Sequence, residues 1–244
     1  MTQVEQPTYT ADEMMAVAAA RRLRNGTVCF VGIGLPSQAA NLARTTHAPE
    51  CVLVYESGTI GAKPEHLPLS IGDGELAESA DAVVSVPEIF GYWLQGGWID
   101  VGFLGAAQID RRGNLNSTVI GDYDSPRVRL PGAGGAPEIA AMCRETFVML
   151  RHEPRAFVEE LDFLTTPGKG VTCVVTDLGV LEPADAGELT LTELHPGVTV
   201  DQALEATGWD LRAIEDPRRG KPPTRDELAA LRALKPANGD TVAR

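Results

Sequence analysis

Two short apolar runs, each released into glycine, constrain this chain more than any other feature. Thr27 to Val31 opens into Gly32-Ile33-Gly34-Leu35-Pro36-Ser37, and Val52 to Tyr55 opens into Glu56-Ser57-Gly58-Thr59-Ile60-Gly61. Between them, Gln38 to Arg44 reads as a helix. A strand, a helical crossover and a second strand make a parallel pair, because parallel neighbours need a connection of about a dozen residues or more. Both loops then leave the sheet at the carboxyl ends of their strands, where such sheets keep their ligand crevices. The expected fold class is therefore α/β, with an open, mostly parallel sheet and helices on both faces.

The remaining chain fits that plan. Thr10-Ala11-Asp12-Glu13 is a capping box, with a hydroxyl at the N-cap and a carboxylate three residues on. It predicts a helix running towards Arg24 and ending at Asn25-Gly26. Thr224-Arg225-Asp226-Glu227 repeats the pattern before a terminal helix through Leu228 to Leu234. Further strands are expected at Ala82 to Val84, Val101 to Leu104, Phe147 to Leu150, Val171 to Thr176 and Leu189 to Leu194. Phe90, Trp93 and Leu94 are expected on a helix packing into the core. With 244 residues, 43% of them hydrophobic, the chain can close one sizeable core. Residues 1–244 read as a single domain, with a tail from about 236 expected to fray.

Charge narrows the partners. A net charge of -13 argues against nucleic acid and against an anionic membrane surface. No apolar run approaches the ~20 residues of a membrane span. The four cysteines, Cys29, Cys51, Cys143 and Cys173, are widely separated and show neither metal-ligand nor redox spacing. Reduced, buried thiols in a cytoplasmic protein are expected.

Two glycine-rich loops bracket the candidate chemistry. The Gly32, Ile33 and Gly34 loop ahead of a helix suits an oxygen anion received by backbone N–H groups. As a dinucleotide fingerprint it is incomplete, since Ser37 stands where a third glycine belongs, although Glu56 lies about 20 positions on, where a ribose-binding acid would sit. Leu130-Pro131-Gly132-Ala133-Gly134-Gly135-Ala136 has no reactive side chain and offers amide donors before the next helix. Gly58 and Gly61 are expected to leave a substrate room beside Glu56, and Gln108 could hold a carbonyl or carboxylate. The four histidines form no cluster, and no Ser-His-Asp or Cys-His order is present. A lone strand-end carboxylate facing amide donors suits covalent catalysis with oxyanion stabilisation.

These residues carry a resemblance. Gly32-Ile33-Gly34-Leu35-Pro36, Glu56-Ser57-Gly58, Leu104-Gly105-Ala106-Ala107-Gln108-Ile109-Asp110, Gly113-Asn114-Leu115-Asn116, Ile120-Gly121-Asp122-Tyr123 and Gly132-Ala133-Gly134-Gly135-Ala136 occur in this order. Together they resemble the β (B) subunit of family I coenzyme A transferases, most of all those acting on 3-oxoadipate and next those acting on glutaconate. The resemblance implies the NagB/RpiA/CoA-transferase type of fold and a ping-pong transfer of CoA from an acyl-CoA such as succinyl-CoA to a carboxylic acid. Glu56 would be the nucleophile. Gly32, Ile33, Gly34, Gly134 and Gly135 would be the oxyanion and CoA-binding loops, with Ser57, Gly58 and Gln108 in the substrate pocket. It implies a CoA thioester as substrate, no tightly bound cofactor and no metal. An α (A) subunit is implied as partner, in a heterodimer or an α2β2 heterotetramer. A CoA-thioester hydrolase on the same fold is the alternative. One departure is the short Pro-Gly-Lys-Gly segment between Thr166 and Val171, where relatives carry a longer one.

Overall fold

The computed structural model describes residues 7–184 and 187–234. The chain forms helix α1 (Ala11–Ala20), strand β1 (Val28–Phe30), helix α2 (Leu35–Thr45), strand β2 (Val52–Val54) and the short strand β3 (Thr59–Ile60). Helix α3 (Gly74–Glu78), strand β4 (Ala82–Val83) and helix α4 (Val86–Glu88) lead into a π-helix at Ile89–Leu94. Strand β5 (Val101–Leu104) precedes two hairpins, β6 (Gln108–Ile109) with β7 (Leu115–Asn116) and β8 (Val119–Gly121) with β9 (Pro126–Arg129). Helix α5 (Ala136–Met142), strand β10 (Glu145–Met149) and strand β11 (Val171–Val175) follow. The last elements are β12 (Gly179–Pro183), β13 (Leu189–Leu194), helix α6 (Val200–Glu205), β14 (Arg212–Arg219) and helix α7 (Arg225–Ala233).

Ten strands make the main sheet, in the order β14-β13-β12-β11-β10-β5-β1-β2-β3-β4. Its centre, β2-β1-β5-β10-β11, is parallel throughout. Antiparallel pairs join the flanking strands on both sides, at β2-β3-β4 and β11-β12-β13. The expected sheet is thus present, with mixed margins.

Alternation along the parallel strands sorts the core into two layers. Cys29, Val31, Leu53, Tyr55, Phe103, Phe147 and Met149 face α1, α2 and α7. Phe30, Val54, Leu104 and Val148 face the opposite way, towards α5 and the π-helix. Gly102 belongs to this second face, since a methyl group there would meet the Cys143 sulfur and an Ile139 methyl at 2.6 Å each. α5 can therefore lie directly on β5.

Both capping boxes form, and each does a second job. Glu13, in the first turn of α1, accepts from Thr10 N–H and from Arg232 of α7, whose Nε lies 2.8 Å from Oε1. Glu227, in the first turn of α7, accepts from Thr224 N–H and from Arg21 after α1, at 2.8 and 2.7 Å. Helices α1 and α7 are joined by two Arg–Glu pairs, each built on the other helix's cap.

Some of the fold had no local signal. β14 reads Arg-Ala-Ile-Glu-Asp-Pro-Arg-Arg, is mostly exposed, and is a strand because it pairs with β13. The short segment after Thr166 is a packed junction. Gly168 N–H donates to Asn114 Oδ1 at 2.8 Å, and a side chain there would strike the Arg112 to Asn114 turn. The tail from about residue 236 lies outside the described residues.

His152 is buried, stacked on Phe157 at 3.9 Å, and bonded through Nε2 to the Thr207 hydroxyl at 2.8 Å. Burial pulls its pKa down to about 4. The unfolded chain therefore binds this proton at higher pH than the folded one, so stability falls as pH drops from about 6.5 towards 4. His195, also lowered by burial, acts in the same direction. Between pH 7 and 5, His152 alone is expected to contribute a loss of about 2 kcal/mol. Urea unfolding at both pH values should show that loss, reduced in His152→Gln; an equal loss in the variant would contradict the assignment.

A second expectation concerns Gly58 and Gly26, both at positive φ (111° and 79°). A methyl group at Gly26 meets nothing within 4 Å, whereas at Gly58 it would collide with the Val84 carbonyl oxygen. Thermal melts should show Gly26→Ala losing about 1 kcal/mol and Gly58→Ala on the order of 3. Equal losses would mean that the collision is not felt.

Candidate functional site

Glu56 owes its direction to the residue before it. Tyr55 is fully buried on the α2 side, where its hydroxyl meets Ser37 Oγ at 3.1 Å and Asn41 Nδ2 at 3.4 Å. Burial raises the pKa of that phenol, although its bonds to Ser37 and Asn41 and the nearby Arg44 act the other way. A tight turn follows at once, closed by Gly58 N–H donating to Tyr55 O at 3.0 Å and Tyr55 N–H donating to Thr59 O at 3.0 Å. Glu56 is the second residue of that turn.

There it lines a cavity of about 490 Å³ at the carboxyl ends of β1, β5 and β10. Phe30, Val31, Phe103, Leu104, Ile139 and Met149 supply apolar walls, with Gly32, Ile33, Gly105, Gly134 and Gly135 between them. Glu56 is half-buried, and its carboxylate makes no hydrogen bond or ion pair among the described residues. No lysine or arginine lines the cavity. Backbone N–H groups of Gly32, Ile33, Gly134 and Gly135 likewise donate to no acceptor among the described residues. A carboxylate can act as a nucleophile and free amide N–H groups can hold an oxyanion, and the cavity lining contains both kinds of group.

The second glycine loop comes directly against the acid. A methyl group on Gly135 would stand 3.4 Å from Glu56 Oε2, and 2.9 and 3.0 Å from Cζ and Cε1 of Phe90. Gly32 and Gly134 have open space where a side chain would be. Both loops named from sequence therefore border the cavity, together with Glu56.

Other candidates lie elsewhere. Gly34, at φ 84°, starts α2 and lines an adjoining cavity of about 880 Å³ with Gln38, Ala107, Val128, Arg151 and Arg155. The two cavities share Leu35, Gly105 and Met149. Gln108 is buried in β6, and its side-chain oxygen accepts from Asn116 Nδ2 at 2.7 Å and Asp162 N–H at 3.0 Å. It clasps the small hairpin to the chain at Asp162 and does not line the cavity. Ser57 and Gly58 do not line it either: the Ser57 hydroxyl is buried without a partner, and Gly58 is required by the Val84 backbone. Gly61 similarly faces Asp81, so these glycines shape the β2-β3-β4 edge. Phe90 reaches the rim of the site from the π-helix, packed edge-on to the lining residue Phe30 with ring centroids 5.8 Å apart. Its sequence neighbours suggested only core packing.

Gly135 has an ordinary φ of -85°, so a side chain there fails for lack of space alone. Gly135→Ala is expected to keep the fold, lose about 1–3 kcal/mol, and displace the Phe90 ring. A crystal structure of the variant with the ring unmoved would contradict the contact.

Comparison with known proteins agrees with this fold. A family model described as coenzyme A transferase matches residues 12–206. The B subunit of 3-oxoadipate CoA-transferase from Pseudomonas knackmussii is 59% identical over 243 residues, covering 93% of this chain and 94% of that protein. The crystal structure of glutaconate coenzyme A-transferase from Acidaminococcus fermentans matches with a TM-score of 0.88 at 32% identity, over 95% of this chain and 96% of that one. The decarboxylase AibA/AibB matches with a TM-score of 0.86 at 28% identity, over 95% of this chain and 97% of that one.

Proposed function

The chain belongs to the coenzyme A transferase family, and from that premise we propose that it is a B subunit whose Glu56 carries the acyl and CoA groups in turn. The observation that supports this best is the unpartnered Glu56 carboxylate in an apolar cavity against the bare backbone of Gly135. A Glu56 oxygen attacks the acyl carbon of the donor thioester, the C–S bond breaks, and CoA thiolate leaves. The product is a mixed anhydride. The thiolate then attacks the Glu56 carbonyl carbon, expels the donor acid as a carboxylate, and leaves a glutamyl-CoA thioester. The acceptor acid reverses both steps and departs as its CoA ester.

Each tetrahedral intermediate carries an oxyanion. Amides of Gly32, Ile33, Gly134 and Gly135 are the donors for it, each worth about 3 kcal/mol where well placed. Proximity of the departed thiolate to the anhydride favours its return over attack by water. The carboxylate itself is the nucleophile, so the scheme calls for no metal and no tightly bound cofactor.

Both transferase relatives are named for dicarboxylic acids, and succinyl-CoA as donor with 3-oxoadipate as acceptor is the pair we infer. The lining of this cavity holds no cation, so the countercharge for the far carboxylate falls to an A subunit. The relatives are named as parts of two-component enzymes, which supports a heteromer. Residues 1–244 would serve it as one domain. No described helix is long and apolar enough to cross a membrane, and we assign the enzyme to the cytoplasm, where its buried thiols stay reduced.

The test uses the A–B complex. Glu56→Ala should abolish CoA exchange between succinyl-CoA and 3-oxoadipate. Glu56→Asp should lower it by at least ~100-fold, since a displacement of about 1 Å is enough. Borohydride added during turnover should reduce a thioester at position 56. Activity retained in Glu56→Ala, or label found elsewhere, would overturn the assignment.

A further inference from the structure

A carboxylate that forms an anhydride and then a thioester must be kept from water for two successive intermediates. The fold alone does not settle this, because a decarboxylase shares it at a TM-score of 0.86. The question is which side of Glu56 lies nearest solvent. The cavity covers one side. The segments that flank the start of the π-helix, Ser85 to Glu88 and Gly91 to Tyr92, are all exposed, with Tyr92 at 71%. Phe90 is the half-buried residue between them.

The π-helix Ile89–Leu94 gives Phe90 its place. Gln95 N–H donates to Phe90 O at 2.9 Å and Trp98 N–H to Trp93 O at 3.0 Å, both spanning five residues. A wider turn of this kind is rare and re-aims side chains relative to an α-helix. Ile89 and Leu94 are fully buried and anchor it, and the Ser85–Glu88 capping box fixes its approach. Phe90 is thereby set edge-on to Phe30, with its ring edge against Gly135 at the spot that Glu56 Oε2 also borders. The edge of an aromatic ring is the positive end of its quadrupole, so it suits a carboxylate neighbour and excludes water. Gly135 lacks a side chain where a methyl group would crowd the ring at 2.9 Å and stand 3.4 Å from the carboxylate.

We propose that Phe90 is the positioning residue that determines transfer against hydrolysis, by sealing the outer side of the Glu56 intermediates and holding the carboxylate towards the cavity. This rests on Glu56 being the nucleophile. Without the ring, water adds to the glutamyl carbonyl carbon of the thioester and the C–S bond breaks. One water proton goes to the thiolate, and Glu56 is restored as a carboxylate with release of the other proton. CoA is then lost as free thiol without any acceptor.

The experiment compares wild-type, Phe90→Leu, Phe90→Val and Phe90→Ala A–B complexes. It measures CoA transfer to 3-oxoadipate and free-thiol release from succinyl-CoA without acceptor. The ratio of hydrolysis to transfer should rise in the order Leu, Val, Ala, by at least tenfold for Ala, with Leu near wild type. A merely structural role would lower both rates together and leave the ratio unchanged, and that result overturns the inference. Should Phe90→Ala fail to assemble, the Leu-to-Val step decides alone: a flat ratio refutes. Borohydride labelling of the wild-type complex separates the two claims. Label at Glu56 with a flat ratio removes only the role of Phe90, whereas no label at Glu56 removes the nucleophile on which that role depends.

Discussion

Everything in the site follows from one side chain that cannot turn around. Tyr55 commits its hydroxyl to Ser37 and Asn41 beneath α2, fully out of water. The chain leaves β2 there and enters the turn closed by Gly58 N–H on Tyr55 O, which carries Glu56 to the cavity at the strand ends. Parallel pairing holds the end of β2 in place, with Phe30 opposite Val54 and Val31 N–H on Val54 O at 2.9 Å. The sheet places Glu56 by fixing its buried neighbour.

The glycine loops differ in what their missing side chains accomplish. Gly58 and Gly61 are squeezed against Val84 and Asp81, so they are demanded by the folding of the sheet edge. Gly135 is crowded by the Phe90 ring, in a place where its backbone also comes close to Glu56. Gly32 and Gly134 face open space and leave room in the cavity. A glycine in a motif can thus be a matter of chain geometry, of close approach or of vacancy, and only the three-dimensional neighbours distinguish them.

That distinction marks how much was legible in the amino-acid sequence. Features with a local cause were readable: both capping boxes, the apolar strands of the parallel centre, and Glu56 at a strand end between glycine loops. Gln108 was misread as a pocket residue because its partners, Asn116 and Asp162, come from other segments. β14 lacks alternation and exists through pairing with β13. Phe90 read as core, and half of that is right. Its contact with Gly135 joins residues 45 positions apart, through a π-turn that leaves no hydrophobic period to read.

The lack of any cation beside Glu56 has an energetic corollary. A half-buried carboxylate with neither ion pair nor hydrogen bond among the described residues depends on water for its solvation, while the same group as a thioester carries no charge to solvate. On the proposed chemistry, apolar walls penalise the empty enzyme more than the loaded one. On that chemistry the cavity favours storage, since a loaded, uncharged Glu56 would be able to wait for a second acid to arrive.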